Sequence, residues 1–263
     1  MLRRGLVYSL WLGGGSMIGL MVLGPAGLAN FGLGEGLAEG ARLPLMVFAL
    51  SMPAYLVSVA AQFFLEALGK PKPGMVAMWV ANGVNLALNL LLVPDLLGLG
   101  VDGALASSWA TFFARAALAV FLIVYIVRLP EARALGIFRK APKDPLAEAE
   151  QRKVGYGAGS SYFIEVGAFA LMTLIAGRLG TNETAAWAVV LNISAIVFMI
   201  PMGLSSAAAV LVGRAFGAAD AQGVMRAGLV SLAVISTLTL AIALIVWPTA
   251  PLLIGAYSRD QAL

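Results

Sequence analysis

Glu165 lies about eleven residues into an apolar run that starts near Val154, which at about 1.5 Å per residue sets it near the middle of a bilayer. A carboxylate at that depth is stable only where it faces a polar cavity, and there it can bind a proton or a metal cation such as Na⁺. Tyr162, one turn earlier on the same helix face, can donate to it. Asn192, deep in the following apolar run, is the second polar side chain placed to support it. The bland alternative is a glutamate neutralised by a helix neighbour for packing. A second polar group is the stripe Asn82, Asn85 and Asn89, whose spacing puts three amides on one helix face. Such a stripe either lines a cavity for a small molecule or hydrogen-bonds neighbouring helices, and Gln62 is a similar case with packing favoured.

These residues are positioned by membrane spans. Hydrophobic residues make up 61% of the 263 and charged residues 11%, and the mean hydropathy is +0.94, far from the composition of ordinary globular domains. Apolar runs bounded by charges and turn residues predict seven spans near 5–30, 43–68, 73–94, 101–128, 154–178, 184–213 and 224–256. Residues 128–153, with Pro130, Pro142, Pro145 and several acidic side chains, are expected to stay out of the membrane as a solvated connector, the alternative being a short surface helix around Leu146 to Lys153. The expected organisation is four spans in 1–128, a linker over 129–153 and three spans in 154–263. The apolar start resembles a signal peptide but carries no small-residue cleavage site, so it reads as a retained first helix.

Charge gives a direction. Arg3, Arg4, Lys70, Lys72, Arg128, the basic residues of the linker, Arg214 and Arg226 fall on one side, thirteen in all, against Arg42, Arg178 and Arg259 on the other. Positively charged loops resist translocation, so the first side, with the N terminus and the linker, is expected to be cytoplasmic. Glu66 and Arg115 are read as lying toward the cytoplasmic ends of their spans, snorkelling or forming an ion pair.

Composition also excludes functions. With no cysteine and no histidine, Cys/His zinc sites, thiol chemistry and imidazole catalysis are absent from this sequence, and an enzyme is not expected. The basic residues form no face interleaved with aromatics, so nucleic acid is not an expected partner. Gly98-Leu99-Gly100-Val101-Asp102-Gly103 satisfies a dinucleotide-binding pattern, but it follows a span rather than a strand and reads as a turn.

An offset of 223 residues, that between Arg3 and Arg226, also aligns Gly5, Leu6, Val7, Pro25 and Gly32 with Gly228, Leu229, Val230, Pro248 and Gly255. Repeats of this kind are common in secondary transporters, where the substrate site lies between the copies. A repeat of that length predicts a parent of about 450 residues, with two further spans before residue 1 and three after residue 263.

Gly69-Lys70-Pro71-Lys72-Pro73-Gly74-Met75, the asparagine stripe, Tyr162-Phe163-Ile164-Glu165-Val166, Ala176-Gly177-Arg178-Leu179-Gly180, Asn192-Ile193 and Phe198-Met199-Ile200-Pro201-Met202-Gly203-Leu204-Ser205 together resemble the multidrug and toxic compound extrusion family, in its NorM-type branch. The resemblance covers nearly the whole chain and implies spans three to nine of a twelve-helix, all-α antiporter of the cell membrane. It implies export of drugs, often organic cations, in exchange for Na⁺ or H⁺, with no cofactor, by a protein expected to be monomeric. It makes Glu165 the cation-site glutamate of the C-terminal lobe. The runner-up is a lipid-linked sugar or lipid flippase of related fold, which would want a strongly cationic cavity where this chain offers only Arg115. A seven-helix receptor fits the span count but not the orientation or the repeat.

Overall fold

The computed structural model describes residues 2–30, 35–96, 98, 100–101, 103–137 and 145–257. Among them all regular structure is helical: α1 (Leu2–Asn30), α2 (Glu35–Leu50), α3 (Met52–Ala67), α4 (Pro71–Leu92), α5 (Gly103–Val127), α6 (Pro145–Leu179), α7 (Thr181–Gly217) and α8 (Ala221–Tyr257). Seven stretches are long and apolar enough to cross a membrane, one for each expected span, with α2 and α3 forming a single stretch over Glu39–Ala67. The protein is an all-α, multi-pass membrane protein. The chain divides into two units, Met1–Lys143 and Asp144–Leu263.

The break between α2 and α3 has a local cause. Pro53 has no N–H to give to the carbonyl of Ala49, so a continuous helix would lose a bond there. Ser51 fills the gap, with its N–H and its hydroxyl both donating to the Phe48 carbonyl at 3.0 and 2.6 Å, while its own carbonyl accepts from Tyr55 N at 3.0 Å. Helix α1 passes directly over this break. A Cβ on Gly13 would lie 2.6 Å from Pro53 Cα and 3.3 Å from the Met52 carbonyl oxygen, so only glycine permits the approach.

In the first unit α1 packs on α2 and α3, and α5 packs on α2, α3 and α4. Small residues let the backbones come close: Ala106, Ala110 and Ala114 form a buried stripe on α5, and Ala77 and Ala81 are buried on α4. In lipid, where apolar surface gains little from burial, such close packing is what holds helices together. The larger core residues are Leu65, Leu118, Leu122 and Ile126.

The linker region is folded at both ends. Residues 129–137 are not a free connector but fold back in turns, with Ile137 N bonded to the Ala132 carbonyl at 3.2 Å, and bury Leu129 and Ala132 against the first unit's core. Lys70 Nζ bonds both carboxylate oxygens of Glu131 at 3.0 Å, tying these turns to the α3–α4 connection. Residues 145–153 are helical, as the alternative reading of this segment has it, and form the first turns of α6 rather than a separate helix, because a run rich in Ala, Glu, Gln, Arg and Lys is a good helix former once Pro145 has started it. Pro142 lies outside the described residues.

The second unit is α6, α7 and α8 packed in sequence. Gly180, at φ 155°, turns the chain between α6 and α7. A side chain there would be strained and would strike the Glu183 carboxylate. The register of this hairpin is held by Trp187 Nε1, which donates to Thr173 Oγ1 at 3.0 Å. At the α7–α8 turn Asp220 caps α8, its Oδ1 accepting from Gly223 N at 2.8 Å. Pro25 in α1 and Pro248 in α8 both lie within helices. A turn over residues 93–96 follows α4, with Gly98 N donating to the Asp95 carbonyl and Gly100 N to Asp95 Oδ2, both at 3.0 Å; Leu99 and Asp102 of the glycine-rich motif lie outside the described residues.

Candidate functional site

Helices α3, α4 and α5 line a half-open cavity of about 300 Å³, at the small end of the range for ligand pockets. Its polar lining is Tyr55, Ser58 and Gln62 from α3, Asn82 and Asn85 from α4, and Thr111 and Arg115 from α5. Each set recurs at three- or four-residue spacing, so each helix turns one face to the cavity. Val59, Met78, Ala81, Ala114 and Leu118 complete the wall.

The asparagine stripe hydrogen-bonds a neighbouring helix and borders the cavity. Asn89 Nδ2 donates to the Asn85 backbone carbonyl at 2.8 Å and to Asn85 Oδ1 at 3.2 Å. Asn85 Nδ2 in turn donates to Thr111 Oγ1 at 3.4 Å, and Thr111 Oγ1 donates to the Ser107 carbonyl at 3.0 Å. The chain of donors runs one way and ties α4 to α5. Asn82 lines the cavity, and Asn89 stands behind Asn85. Gln62 both lines the cavity and packs: its Nε2 donates to Glu66 Oε1 at 3.2 Å.

Arg115 does not form the expected ion pair. It is the thirteenth of the 25 residues of α5, at mid-helix rather than near an end. Its Nη1 donates to Ser51 Oγ at 2.7 Å, and its Cζ lies 4.4 Å from the Phe48 ring centre and 4.7 Å from that of Tyr55. The guanidinium is held by a hydroxyl and two π faces. The α2–α3 break brings them within reach, because Phe48, Ser51 and Tyr55 flank it. Sequence reasoning missed Tyr55, Ser58 and Thr111 as lining residues. The signal was there, since Tyr55, Ser58 and Gln62 repeat at the same spacing as the asparagines.

In the second unit, Glu165 is half-buried on α6 and Tyr162 is exposed one turn before it. Asn192, exposed on α7, donates to the Ala188 carbonyl of its own helix at 3.0 Å. None of the three hydrogen-bonds another. Among the described residues no group of three or more His, Cys, Asp or Glu gathers to hold a metal ion.

A model of the MatE family matches residues 1–91 and 158–263, covering both units. The chain belongs to the MatE family. This MatE chain is 53% identical over 261 residues, 99% of its own length, to a protein of Caulobacter vibrioides named as a probable multidrug resistance protein NorM, of which it covers 55%. It is 30% identical over 185 residues to the multidrug resistance protein NorM of Vibrio cholerae, covering 40% of that protein and matched over 69% of its own length. The chain thus spans about half the length of the curated relatives it matches, or less. Among solved structures, an inward-facing multidrug resistance MATE family transporter of the MOP superfamily superposes over 98% of this chain and 58% of its own, with a TM-score of 0.58 at 15% identity. That likeness shows the MATE fold.

Proposed function

We propose that this chain is part of a secondary active antiporter that exports drugs or other small organic compounds in exchange for Na⁺ or H⁺. The observation that carries the reading is the cavity among α3, α4 and α5, where amides, hydroxyls and an aromatic ring are gathered inside otherwise apolar membrane helices. Polar groups at that depth are costly and mark substrate or ion pathways. The names of the relatives as multidrug resistance proteins support the same reading.

Glu165 takes the coupling ion in this account. Its carboxylate stands half-buried in a span without a hydrogen-bond partner among the described residues, open to a proton or a metal cation. Loading it shifts the balance between inward- and outward-open states by the difference in its affinity for the ion in each. Tyr162 and Asn192 support it only after side-chain rearrangement, since the Asn192 amide is bonded within its own helix and neither forms a hydrogen bond to Glu165 among the described residues. The protein sits in the cell membrane with its N terminus in the cytoplasm. Export by the reconstituted full-length protein, with and without an imposed ion gradient, tests the reading.

A further inference from the structure

We infer that Arg115 recognises a carboxylate on an amphipathic aromatic cargo bound in the cavity between α3, α4 and α5. The inference rests on the export reading above and adds the chemical class of what is exported.

Three observations carry it. Arg115 lies at the midpoint of a membrane-spanning helix and lines the cavity, so its charge sits where a bilayer gives it no water. Its partners among the described residues are all neutral: one hydroxyl at 2.7 Å and two aromatic faces. A guanidinium has five N–H donors and cannot shed its proton, and here one donor is used. The nearest candidate counter-charge on α3, Glu66, is engaged by Gln62 Nε2 at 3.2 Å.

A purely structural tie to Ser51 would need only a neutral donor such as an amide. An arginine in that place keeps a full positive charge and a planar fork of donors beside a cavity, the geometry that matches a carboxylate. The remaining lining tells what the carboxylate is attached to. Tyr55 offers a ring for stacking, Met78 and Leu118 offer apolar surface, and Asn82 and Asn85 offer neutral hydrogen bonds. An aromatic body with one anionic group fits this set.

The test uses two fluorescent dyes that differ only at one group: a xanthene dye bearing a free benzoate, and its methyl ester. Ion-gradient-driven transport of each is measured in proteoliposomes of the full-length protein. The wild type is expected to take the acid with a KM at least about ten-fold below that of the ester, the size of one charge-assisted hydrogen bond. Arg115→Gln is expected to raise the acid's KM relative to the ester's until the two dyes converge. Arg115→Lys, which keeps the charge but loses the fork, is expected to fall between them. Equal handling of acid and ester by the wild type overturns the inference, and that comparison stands even where Arg115→Gln fails to insert. An equal loss for both dyes in an inserted Arg115→Gln also overturns it, by making Arg115 structural. Export of the ester with none of the acid defeats the carboxylate and leaves the export reading intact. Transport of neither dye defeats both.

Discussion

Arg115 Nη1 donates to Ser51 Oγ across 2.7 Å, joining the midpoint of α5 to the break between α2 and α3. The bond places a basic residue at the middle of a span against Ser51, which is buried, polar and outside the helices. Ser51 then does two things with one hydroxyl, accepting from Arg115 and donating to the Phe48 carbonyl at 2.6 Å. The break and the charge hold each other in place.

Ser51→Ala removes both bonds and leaves a charged donor without its oxygen. Loss of a hydrogen bond to a charged group costs about 1.5–3 kcal/mol. The expected outcome is a lower midpoint of thermal unfolding in detergent. An unchanged midpoint would show that the break is held by Pro53 and helix packing alone.

The α1 crossing makes a sharper contrast between adjacent glycines. Gly13→Ala puts a methyl group 2.6 Å from Pro53 Cα, whereas a Cβ on Gly14 meets nothing within 4 Å. Gly13→Ala is expected to destabilise by about 1–3 kcal/mol as an overpacked contact. Gly14→Ala is expected to be neutral or slightly stabilising, since alanine favours the helix. Equal effects from the two substitutions would mean α1 does not sit on the α2–α3 break.

Much of the fold was legible because the bilayer imposes one rule, that a spanning segment be long, apolar and helical. All seven spans follow from it. The rule is silent about what happens inside a span. Pro53 could have bent a continuous helix, and only the Ser51 bonds to Phe48 show that the chain breaks instead. Arg115 was misread because its charge suggested an acidic partner, when two aromatic rings brought close by that break serve in place of one. The asparagine stripe was visible as a face, but its partner Thr111 lies 26 residues after Asn85, and pairing across helices depends on register that one sequence does not contain. The turns over 129–137 were hidden for a related reason: Pro130 and the charges there signal solvent, while the burial of Ala132 and the contact of Glu131 with Lys70 depend on how the chain folds back.

The Lys70–Glu131 bridge predicts a pH dependence. The hydrogen bond from the Lys70 ammonium, more than any other influence, holds the Glu131 carboxyl below its ordinary value of 4.5. A depressed carboxylate contributes stability that is present above its unfolded value and lost as pH falls through the folded one. The small stability difference between wild type and Glu131→Gln is therefore expected to be constant near neutrality, to begin shrinking near pH 4.5 and to vanish below the folded value. Both side chains are partly exposed, so high salt should also weaken it. Thermal unfolding of the two proteins across pH and salt checks this, and a difference that grows on acidification would contradict it.

The charge asymmetry of the loops predicts sidedness. A reporter fused at Pro142 is expected to read as cytoplasmic and one at the C-terminal end of α8 as external, because the strongly basic loops resist translocation. An external signal at Pro142 would reverse the orientation.

Gradient-driven export by the full-length protein, with Glu165 intact or replaced, tests the central claim most directly. In proteoliposomes carrying a Na⁺ or H⁺ gradient, the wild type is expected to move an organic dye only while the gradient lasts. Glu165→Gln keeps the shape of the side chain and removes its charge, so it is expected to insert and fold as the wild type does and to lose gradient-driven movement. Export by Glu165→Gln at the wild-type rate would contradict the account of coupling, and wild-type vesicles that move no dye under either gradient would contradict the export function itself.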